Sequence, residues 1–220
     1  MNLELKNRIL TSLLLISLLI AMYHYSFVMI TSLIIIAMIA WIEFYALISK
    51  IFLKNSIKHR FFRFLYKSIS LFYLSILVYS IFYIESNHLN LKLYLLYSVL
   101  VAILSDIGGL VIGKTFKGKK LSKISPNKTI SGSIGSFVFS LFLIPFFYME
   151  MIKYNLLILI LITISISLAS QFGDLFISYF KRKANVKNTS DLLPGHGGIL
   201  DRIDSIIFSI PVGILLFNFI

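Results

Sequence analysis

The stretch SQFGDLFISYFKRKANVKNTSDLLPGHGGILDRIDS, from Ser170 to Ser205, joins two apolar segments and carries a glycine-rich turn. Three of its aspartates, Asp174, Asp201 and Asp204, stand beside long apolar runs. One acid at the centre of a bilayer costs about 2.5–3.5 kcal/mol on insertion scales. Acids at that depth usually face a protein interior or a bound cation, so this stretch decides both how the chain folds and where its chemistry lies.

The composition of the chain is that of a membrane protein. Hydrophobic residues make up 58% and charged residues 14% of the sequence, and the mean hydropathy is +0.91. Soluble domains average about 45–50% apolar and about 25% charged residues. We therefore predict an all-α, polytopic integral membrane helical bundle. The sequence has no cysteine, which excludes disulfides and thiolate ligands.

Hydropathy predicts about seven transmembrane helices, each near the ~17–25 residues that a bilayer requires. They cover 9–25, 27–49, 68–84, 93–113, 130–148, 155–176 and 203–220. We treat them as one membrane domain, with N-terminal membrane helices in 1–92 and a C-terminal catalytic region in 93–220.

The basic residues predict the orientation of these segments. All but two of the 21 lysines and arginines lie at the N-terminus or in the loops after the second, fourth and sixth segments; the exceptions are Lys92 and Lys153. The positive-inside rule places those regions in the cytoplasm. The net charge of +12 is thereby explained by topology, and no nucleic-acid partner is expected.

The three aspartates predict a metal site. Asp201 and Asp204 are three residues apart and would share one face of a helix, while Asp174 comes from the end of the preceding helix. Carboxylates without cysteine or histidine partners form a hard, oxygen-rich site that prefers Mg²⁺ to zinc. We predict all three as ligands of Mg²⁺, with a second cation left open. His196 is favoured as a hydrogen-bonding loop residue over a metal ligand.

Two basic loops, 114–129 and 177–202, also contain glycine, proline, serine and threonine, a mixture that suits phosphate. In the first loop, Ser125, Lys128 and Thr129 immediately precede the fifth helix, whose free N–H groups favour an anion. The basic stretch 50–67 is instead interpreted as an interfacial segment that touches anionic headgroups.

Two further acids lie within apolar segments. Asp106 precedes a pair of glycines that allow close backbone approach, and its alternative is a structural carboxylate capped by a hydroxyl or a lysine. For Glu43 the structural interpretation is favoured. Mg²⁺, basic loops and glycine turns at a membrane face indicate a phosphorylated nucleotide substrate, and the membrane setting indicates a lipid as the second substrate.

At these residues the chain resembles the phosphatidate cytidylyltransferases (CDP-diacylglycerol synthases). The C-terminal signature of that family appears as Ser178, Lys181, Arg182, Lys187, Pro194, Gly195, His196, Gly197, Gly198, Asp201, Arg202 and Asp204. An earlier block appears as Asp106, Gly113, Ser125, Pro126, Lys128, Thr129 and Gly132, and Gly173 with Asp174 also matches. Glu43 falls where the family often has a Trp-Glu or similar pair. The resemblance is strong over roughly residues 100–210, and the first hundred residues match only in hydropathy.

The resemblance implies that CTP and phosphatidate react to CDP-diacylglycerol and diphosphate. It implies catalytic roles for Asp174, Asp201, Asp204, Lys181 and Arg182. It implies substrate binding by Ser125, Lys128, Thr129, Ser178, Lys187, Gly195, His196, Gly197, Gly198, Arg202 and Asp106. The implied partners are CTP, phosphatidate and membrane lipids, with a homodimer left open. The implied location is the inner membrane, with the active site facing the cytoplasm.

Three positions depart from the family pattern. Asn188 and Ser131 stand where the family usually has acids, and Ser190 replaces a common glycine. The lost charges keep open the alternative of a CTP-dependent transferase that acts on another lipid substrate. A second alternative, based on the buried acids, is a cation transporter that uses them as a path.

Overall fold

A computed structural model describes residues 3–53, 56–87, 89–122, 125, 128–151, 154–193 and 197–219. All regular elements in this part of the chain are helices. They are α1 (Leu3–His24), α2 (Ser26–Ile51), α3 (Ile57–Asn87), α4 (Leu89–Phe116), α5 (Ile130–Leu141), α6 (Ile144–Phe147), α7 (Leu156–Lys183), α8 (Leu200–Ile203) and α9 (Ile206–Phe219). The predicted all-α class is confirmed.

In the part of the chain that the structure describes, five helical stretches are long and apolar enough to cross a membrane, which agrees with a polytopic bundle. They are Ser26–Ile51, Ile57–Ser86, Lys92–Phe116, Ile130–Phe147 and Leu156–Lys183. The outermost two of the seven predicted segments correspond to shorter apolar helices, Leu10–His24 and Ile206–Phe219. The fifth predicted segment contains two helices, α5 and α6, with Pro145 in the first turn of α6.

Helix α3 begins at Ile57 and not at 68, so most of the predicted interfacial stretch is helical. The sequence from 57 to 67 contains no glycine or proline that would interrupt a helix. Its aromatic side chains Phe61 and Phe64 are exposed. Hydropathy placed the start too late because the basic residues lower the local average without lowering helix propensity.

The chain divides into two compact units. The first contains Met1–Asn87 and Phe180–Ile203, and the second contains His88–Tyr179 and Asp204–Ile220. The first unit therefore includes a segment that the sequence analysis grouped with the C-terminal region. We call residues 184–199 the α7–α8 loop.

In the first unit, α2 packs against α3 and also contacts α8. Trp41 on α2 donates a hydrogen bond from Nε1 to the carbonyl oxygen of Lys67 on α3, at 3.1 Å. Phe44 makes an edge-to-face contact with Phe180, with ring centroids 5.2 Å apart. These contacts fix α2 beside the chain that leads into the α7–α8 loop.

In the second unit, α4 and α5 pack closely because small residues face each other. A side chain added at Gly108 would collide with the carbonyl of Gly135 and with Phe139, and one at Gly135 would collide with Ile112. Small residues at helix interfaces are the usual way for membrane helices to approach, since lipid supplies no hydrophobic driving force between them. The interface also contains a hydrogen bond from Ser136 Oγ to the carbonyl of Ser105, at 2.7 Å.

The core of the second unit combines α4, α7 and α9. Tyr97 is fully buried and shares a hydrogen bond of 2.6 Å with Thr163 on α7. Tyr94 stacks on Phe217 of α9 with ring centroids 4.4 Å apart. This core packs together α4, which carries Asp106, α7, which carries Asp174, and α9, which Asp204 precedes.

Candidate active site

Glu43 on α2 binds the middle of the α7–α8 loop and the junction of the loop with α8. Its Oε1 accepts hydrogen bonds from Ser190 Oγ at 2.6 Å and from the N–H of Ile199 at 3.0 Å. Its Oε2 accepts from Thr189 Oγ1 at 2.7 Å and from the N–H of Leu200 at 2.8 Å. The carboxylate is 4% exposed. A buried carboxylate with four donors is well stabilised, so Glu43 fixes the loop to the helix.

Asp201 also binds the α7–α8 loop. Its Oδ2 accepts from the N–H of Thr189 at 2.8 Å and from the N–H of Gly198 at 3.0 Å. Thr189 Oγ1 lies 3.0 Å from the same oxygen and shares its one proton between Asp201 and Glu43. Its Oδ1 accepts from Lys181 Nζ on α7 at 2.7 Å. The Lys181 side chain is 13% exposed and that of Asp201 is 7% exposed. This is a buried, hydrogen-bonded ion pair.

The contacts of Asp201 also determine its ionisation. Burial raises the pKa of the carboxyl group, but the hydrogen bond and charge of Lys181 and the N–H groups of Thr189 and Gly198 outweigh burial. Together they hold the pKa of Asp201 below its usual value. Asp201 is therefore an anion at neutral pH, as a metal ligand or an ion-pair partner must be.

The predicted glycine turn is closed by backbone pairing. Leu193 and Gly197 exchange hydrogen bonds of 2.8 and 3.1 Å. Gly197 has φ +83°, a conformation that side chains other than that of glycine disfavour. A Cβ at Gly198 would overlap Thr189 and Glu43. Pro194, Gly195 and His196, which the sequence analysis placed in this turn, lie outside the described residues.

The second unit contains a cluster around Ser205. Its Oγ donates to Asp106 Oδ2 at 2.7 Å, and its N–H donates to Asp204 Oδ1 at 2.9 Å. Asp204 is 6% exposed and Ser205 1%, whereas Asp106 is exposed. Ser205 thus joins two predicted acids, and the alternative in which a hydroxyl caps Asp106 agrees with this geometry.

A further cluster in the second unit surrounds Asp174. Lys128 forms an ion pair with Asp174 Oδ2, and Ser178 Oγ donates to Oδ1 at 3.2 Å. The side chains of Lys128 and Asp174 are each 27% exposed. Thr129 caps α5 by accepting a hydrogen bond from the N–H of Gly132 at 3.0 Å. These residues come from the two blocks that carry the family resemblance.

The remaining predicted residues lie near these clusters along the chain. Arg182, Lys187 and Arg202 are exposed. The half-buried Ser125 accepts a hydrogen bond through its carbonyl from the N–H of Lys128, at 3.1 Å. Basic side chains on the surface of these loops provide the positive charge that phosphate recognition requires.

The three predicted metal ligands fall in different units. Asp201 belongs to the first unit, while Asp174 and Asp204 belong to the second. Among the residues that the structure describes, no three histidine or acidic side chains are grouped so that they could hold a metal ion. Helix α8 ends at Ile203, so Asp204 follows the helix and does not share its face with Asp201.

Glu43 and Thr189 are the site residues that sequence reasoning left out. The available signal was a single carboxylate inside an apolar helix, which is costly unless it is satisfied by partners. Those partners lie 146 to 157 residues further along the chain, so the sequence around Glu43 does not identify them. Ser190, which replaces a common glycine of the family pattern, has a structural role because its hydroxyl supplies one of the four donors to Glu43.

The fold and these clusters define a polytopic α-helical membrane protein whose carboxylates, hydroxyls and loop N–H groups lie beside basic residues. The chain belongs to the cytidylyltransferase family, whose family model matches residues 2–220.

Several curated proteins are similar to this chain. A phosphatidate cytidylyltransferase of Rickettsia bellii is 41% identical over 156 residues, which is 67% of each chain. One of Rickettsia typhi is 44% identical over 138 residues, 58% of each chain. One of Staphylococcus haemolyticus is 46% identical over 122 residues, 54% of this chain and 46% of that protein. The chain thus spans about half to two thirds of the curated relatives that it matches.

Proposed function

We propose that this protein is a phosphatidate cytidylyltransferase, which converts CTP and phosphatidate to CDP-diacylglycerol and diphosphate. The observation that carries the proposal is that the residues of the family signature form hydrogen-bonded clusters around Asp201, Asp174 and Ser205. Relatives that bear this name are 41% to 46% identical to the chain.

The reaction needs little acid–base assistance from the protein. An oxygen of the lipid phosphate, already ionised near neutral pH, forms a bond to the α-phosphorus of CTP. The bond between that phosphorus and the oxygen bridging to the β-phosphate breaks, and diphosphate leaves with the electron pair. Catalysis of such transfers consists mainly of positioning and charge neutralisation. We assign charge neutralisation to Lys128, Arg182 and Lys187.

Lys181 has a different proposed role. Its ammonium group is 2.7 Å from Asp201 Oδ1, and its side chain is largely buried. We propose that Lys181 positions Asp201, and through it the α7–α8 loop, and that the exposed Arg182 and Lys187 contact the nucleotide phosphates. Lys181→Met should therefore disturb the loop as well as activity, whereas Lys187→Gln should raise KM for CTP and leave the loop intact.

We propose Mg²⁺ as the cofactor, with its ligands among Asp174, Asp201 and Asp204. The donor chemistry fits, since all three offer carboxylate oxygens, and Mg²⁺ typically uses one or two protein carboxylates together with substrate phosphates and water. Asp201 Oδ1 accepts a hydrogen bond from Lys181, and a carboxylate oxygen has two lone pairs. When bound, Mg²⁺ would neutralise the charge that develops on the phosphate oxygens. A second cation stays a prediction.

The decisive experiment is diphosphate release by the purified protein. Release should require both CTP and phosphatidate and should be abolished by chelation and restored by Mg²⁺. Asp174→Asn and Asp201→Asn should each lose most of the turnover. Asp191→Asn is the matched control, because Asp191 is an exposed acid in the α7–α8 loop. Diphosphate release without phosphatidate, or normal turnover of both variants, contradicts the proposal.

We propose that the site faces the cytoplasm of a bacterial inner membrane. The support is the charge distribution, which places almost all basic residues in one set of loops. The sequence has no cysteine, so single cysteines can report topology. In intact cells, Gly118→Cys should resist an impermeant maleimide and Met149→Cys should react. The same cysteines allow cross-linking to test whether the protein forms a homodimer.

A second candidate is a CTP-dependent transferase that acts on a different lipid phosphate. Its support is Asn188, which stands where the family usually has an acid and lies beside Gly197 at the closed turn. An amide in place of a carboxylate changes the charge offered to a substrate or cation. A panel of lipid phosphates and alcohols distinguishes the two candidates, because the second predicts faster turnover of a lipid other than phosphatidate.

A further inference from the structure

Helices α2 and α3 enclose an apolar groove that is open on one side. Its volume is about 430 Å³, within the range of small-ligand sites. Its lining includes Ile30, Ile34, Trp41, Leu71, Leu74 and Val78. The α2 lining runs from residue 30 to residue 41, which corresponds to about 16 Å of helix. The groove is therefore long and narrow, as the binding site of a single hydrocarbon chain would be.

One end of the groove continues into positive charge. On α3, positions 78, 74 and 71 of the lining are followed towards the N-terminus by Lys67, Arg63 and Arg60. The spacing of three or four residues keeps all of them on one face of the helix. The same face of α3 thus changes from apolar to basic along its length.

Aromatic residues mark the point where the change occurs. The Lys67 ammonium lies 3.0 Å from the centroid of the Tyr45 ring. The Lys67 carbonyl accepts the Trp41 indole N–H at 3.1 Å. Cation–π contact holds the lysine head at this position. Tryptophan and tyrosine favour the level of the lipid headgroups, where one end of the ring system is apolar and the other is wet.

We propose that the α2–α3 groove binds an anionic phospholipid of the bilayer, with one acyl chain between the helices and the phosphate against Lys67, Arg63 and Arg60. The pattern matches an amphiphile of this kind, because an uncharged chain and a negative head need an apolar stretch that ends in basic side chains. A neutral helix of another protein would gain nothing from the basic end.

This lipid site is separate from the hydrogen-bonded cluster around Glu43. Glu43 lies two residues from both Trp41 and Tyr45, which places it about 200° around α2 from each of them. Its carboxylate is buried against the α7–α8 loop. The proposal therefore does not depend on the function proposed above, and its test needs no CTP.

Trp41 is the only tryptophan in the sequence, so its fluorescence reports on the groove directly. The full chain is placed in phosphatidylcholine bilayers that contain, at equal mole fraction, either brominated phosphatidylglycerol or brominated phosphatidylcholine. Bromine quenches tryptophan only at close range. We expect the anionic lipid to quench Trp41 several-fold more effectively than the zwitterionic lipid.

Matched variants separate the headgroup and the chain. Lys67→Gln should abolish the preference for the anionic lipid. Lys58→Gln removes the same charge from the opposite face of α3 and should preserve that preference. Ala37→Leu should fill the groove and reduce quenching by both lipids, whereas Ala46→Leu, at an exposed position of α2, should not.

The ratio of quenching by the two lipids is the measured quantity, so a change in the fluorescence of a variant does not affect the comparison. Equal quenching by the two lipids, or an anionic preference that Lys67→Gln leaves unchanged, overturns the proposal. Absence of quenching by either lipid also overturns it, because the groove would then be covered by protein, such as a second copy of the chain.

Discussion

Replacement of Glu43 by glutamine should release the α7–α8 loop without unfolding the helices. Each Glu43 oxygen accepts one hydroxyl and one backbone N–H. A glutamine keeps one oxygen and presents an NH₂ group to the other pair. The hydroxyl of that pair can rotate and accept from the NH₂ group, but the backbone N–H cannot, so one hydrogen bond is lost and the other three no longer involve a charge. A hydrogen bond to a charged group contributes about 1.5–3 kcal/mol and a neutral one about 0.5–1.5 kcal/mol, so these losses together cost about 3 kcal/mol at the lower limit.

This loss of free energy should appear as local opening of the α7–α8 loop, because water can bind the loop's donors without disturbing the helix interfaces. A change of about 3 kcal/mol corresponds to a roughly 100-fold change in the opening equilibrium. Hydrogen exchange read by mass spectrometry should therefore show the amides of Ile199 and Leu200 exchanging roughly 100-fold faster in Glu43→Gln. The amides of α4 and α5 should exchange at the wild-type rate.

Glu150→Gln is the control, since Glu150 is an exposed acid outside the loop and its replacement should leave exchange unchanged. Trypsin provides an independent reading, because Lys187 should become more susceptible to cleavage in Glu43→Gln. The reasoning is refuted if the loop amides of this variant exchange at the wild-type rate, or if exchange accelerates equally throughout the chain.

Three further outcomes follow from the geometry. The folded-state pKa of Asp201 is lowered, so its stabilisation is complete above the unfolded carboxyl pKa of about 3.9 and is lost as pH falls through the lower folded value. The opening equilibrium of the α7–α8 loop, obtained by dividing exchange rates by the intrinsic rates at each pH, should therefore increase below that pH. Asp201→Asn should not show this increase. Gly198→Ala should cost about 1–3 kcal/mol through overpacking and abolish turnover. Gly118→Ala, with φ +114° and only an ordinary contact with Ser131, should cost only its backbone strain, so equal losses of stability and activity contradict this explanation. Gly135→Ala should lower the melting temperature in detergent because its Cβ meets Ile112, whereas Val138→Ala at an exposed position should not; equal melting temperatures contradict close α4–α5 packing.

Properties that depend on local composition were predicted from the sequence. The apolar runs predicted the helical class and about seven membrane segments, five of which correspond to long membrane helices in the described residues, because a bilayer selects for length and hydropathy directly. Lys128 and Asp174, which the sequence pattern assigns to one site, form an ion pair. The predicted start of the third segment, at residue 68, lies 11 residues after the start of α3, since hydropathy does not measure helix propensity in a basic segment.

Partnerships between distant residues could not be predicted in the same way. Thr189 and Glu43 are 146 positions apart, and the bond between them depends on α2 lying beside the loop. The role of Lys181 changed for the same reason. As a sequence feature it was a cation available to phosphate, whereas in the structure it is an ion-pair partner of Asp201.

By itself the sequence determined the membrane class, the order of the helices and the set of polar residues that must be satisfied, because hydrophobicity and charge act through each residue's own solvation. Only the tertiary structure decided which acid binds which donor. A buried carboxylate is stabilised by whichever N–H and O–H groups packing brings within about 3 Å, and those distances depend on contacts between elements that lie far apart along the chain.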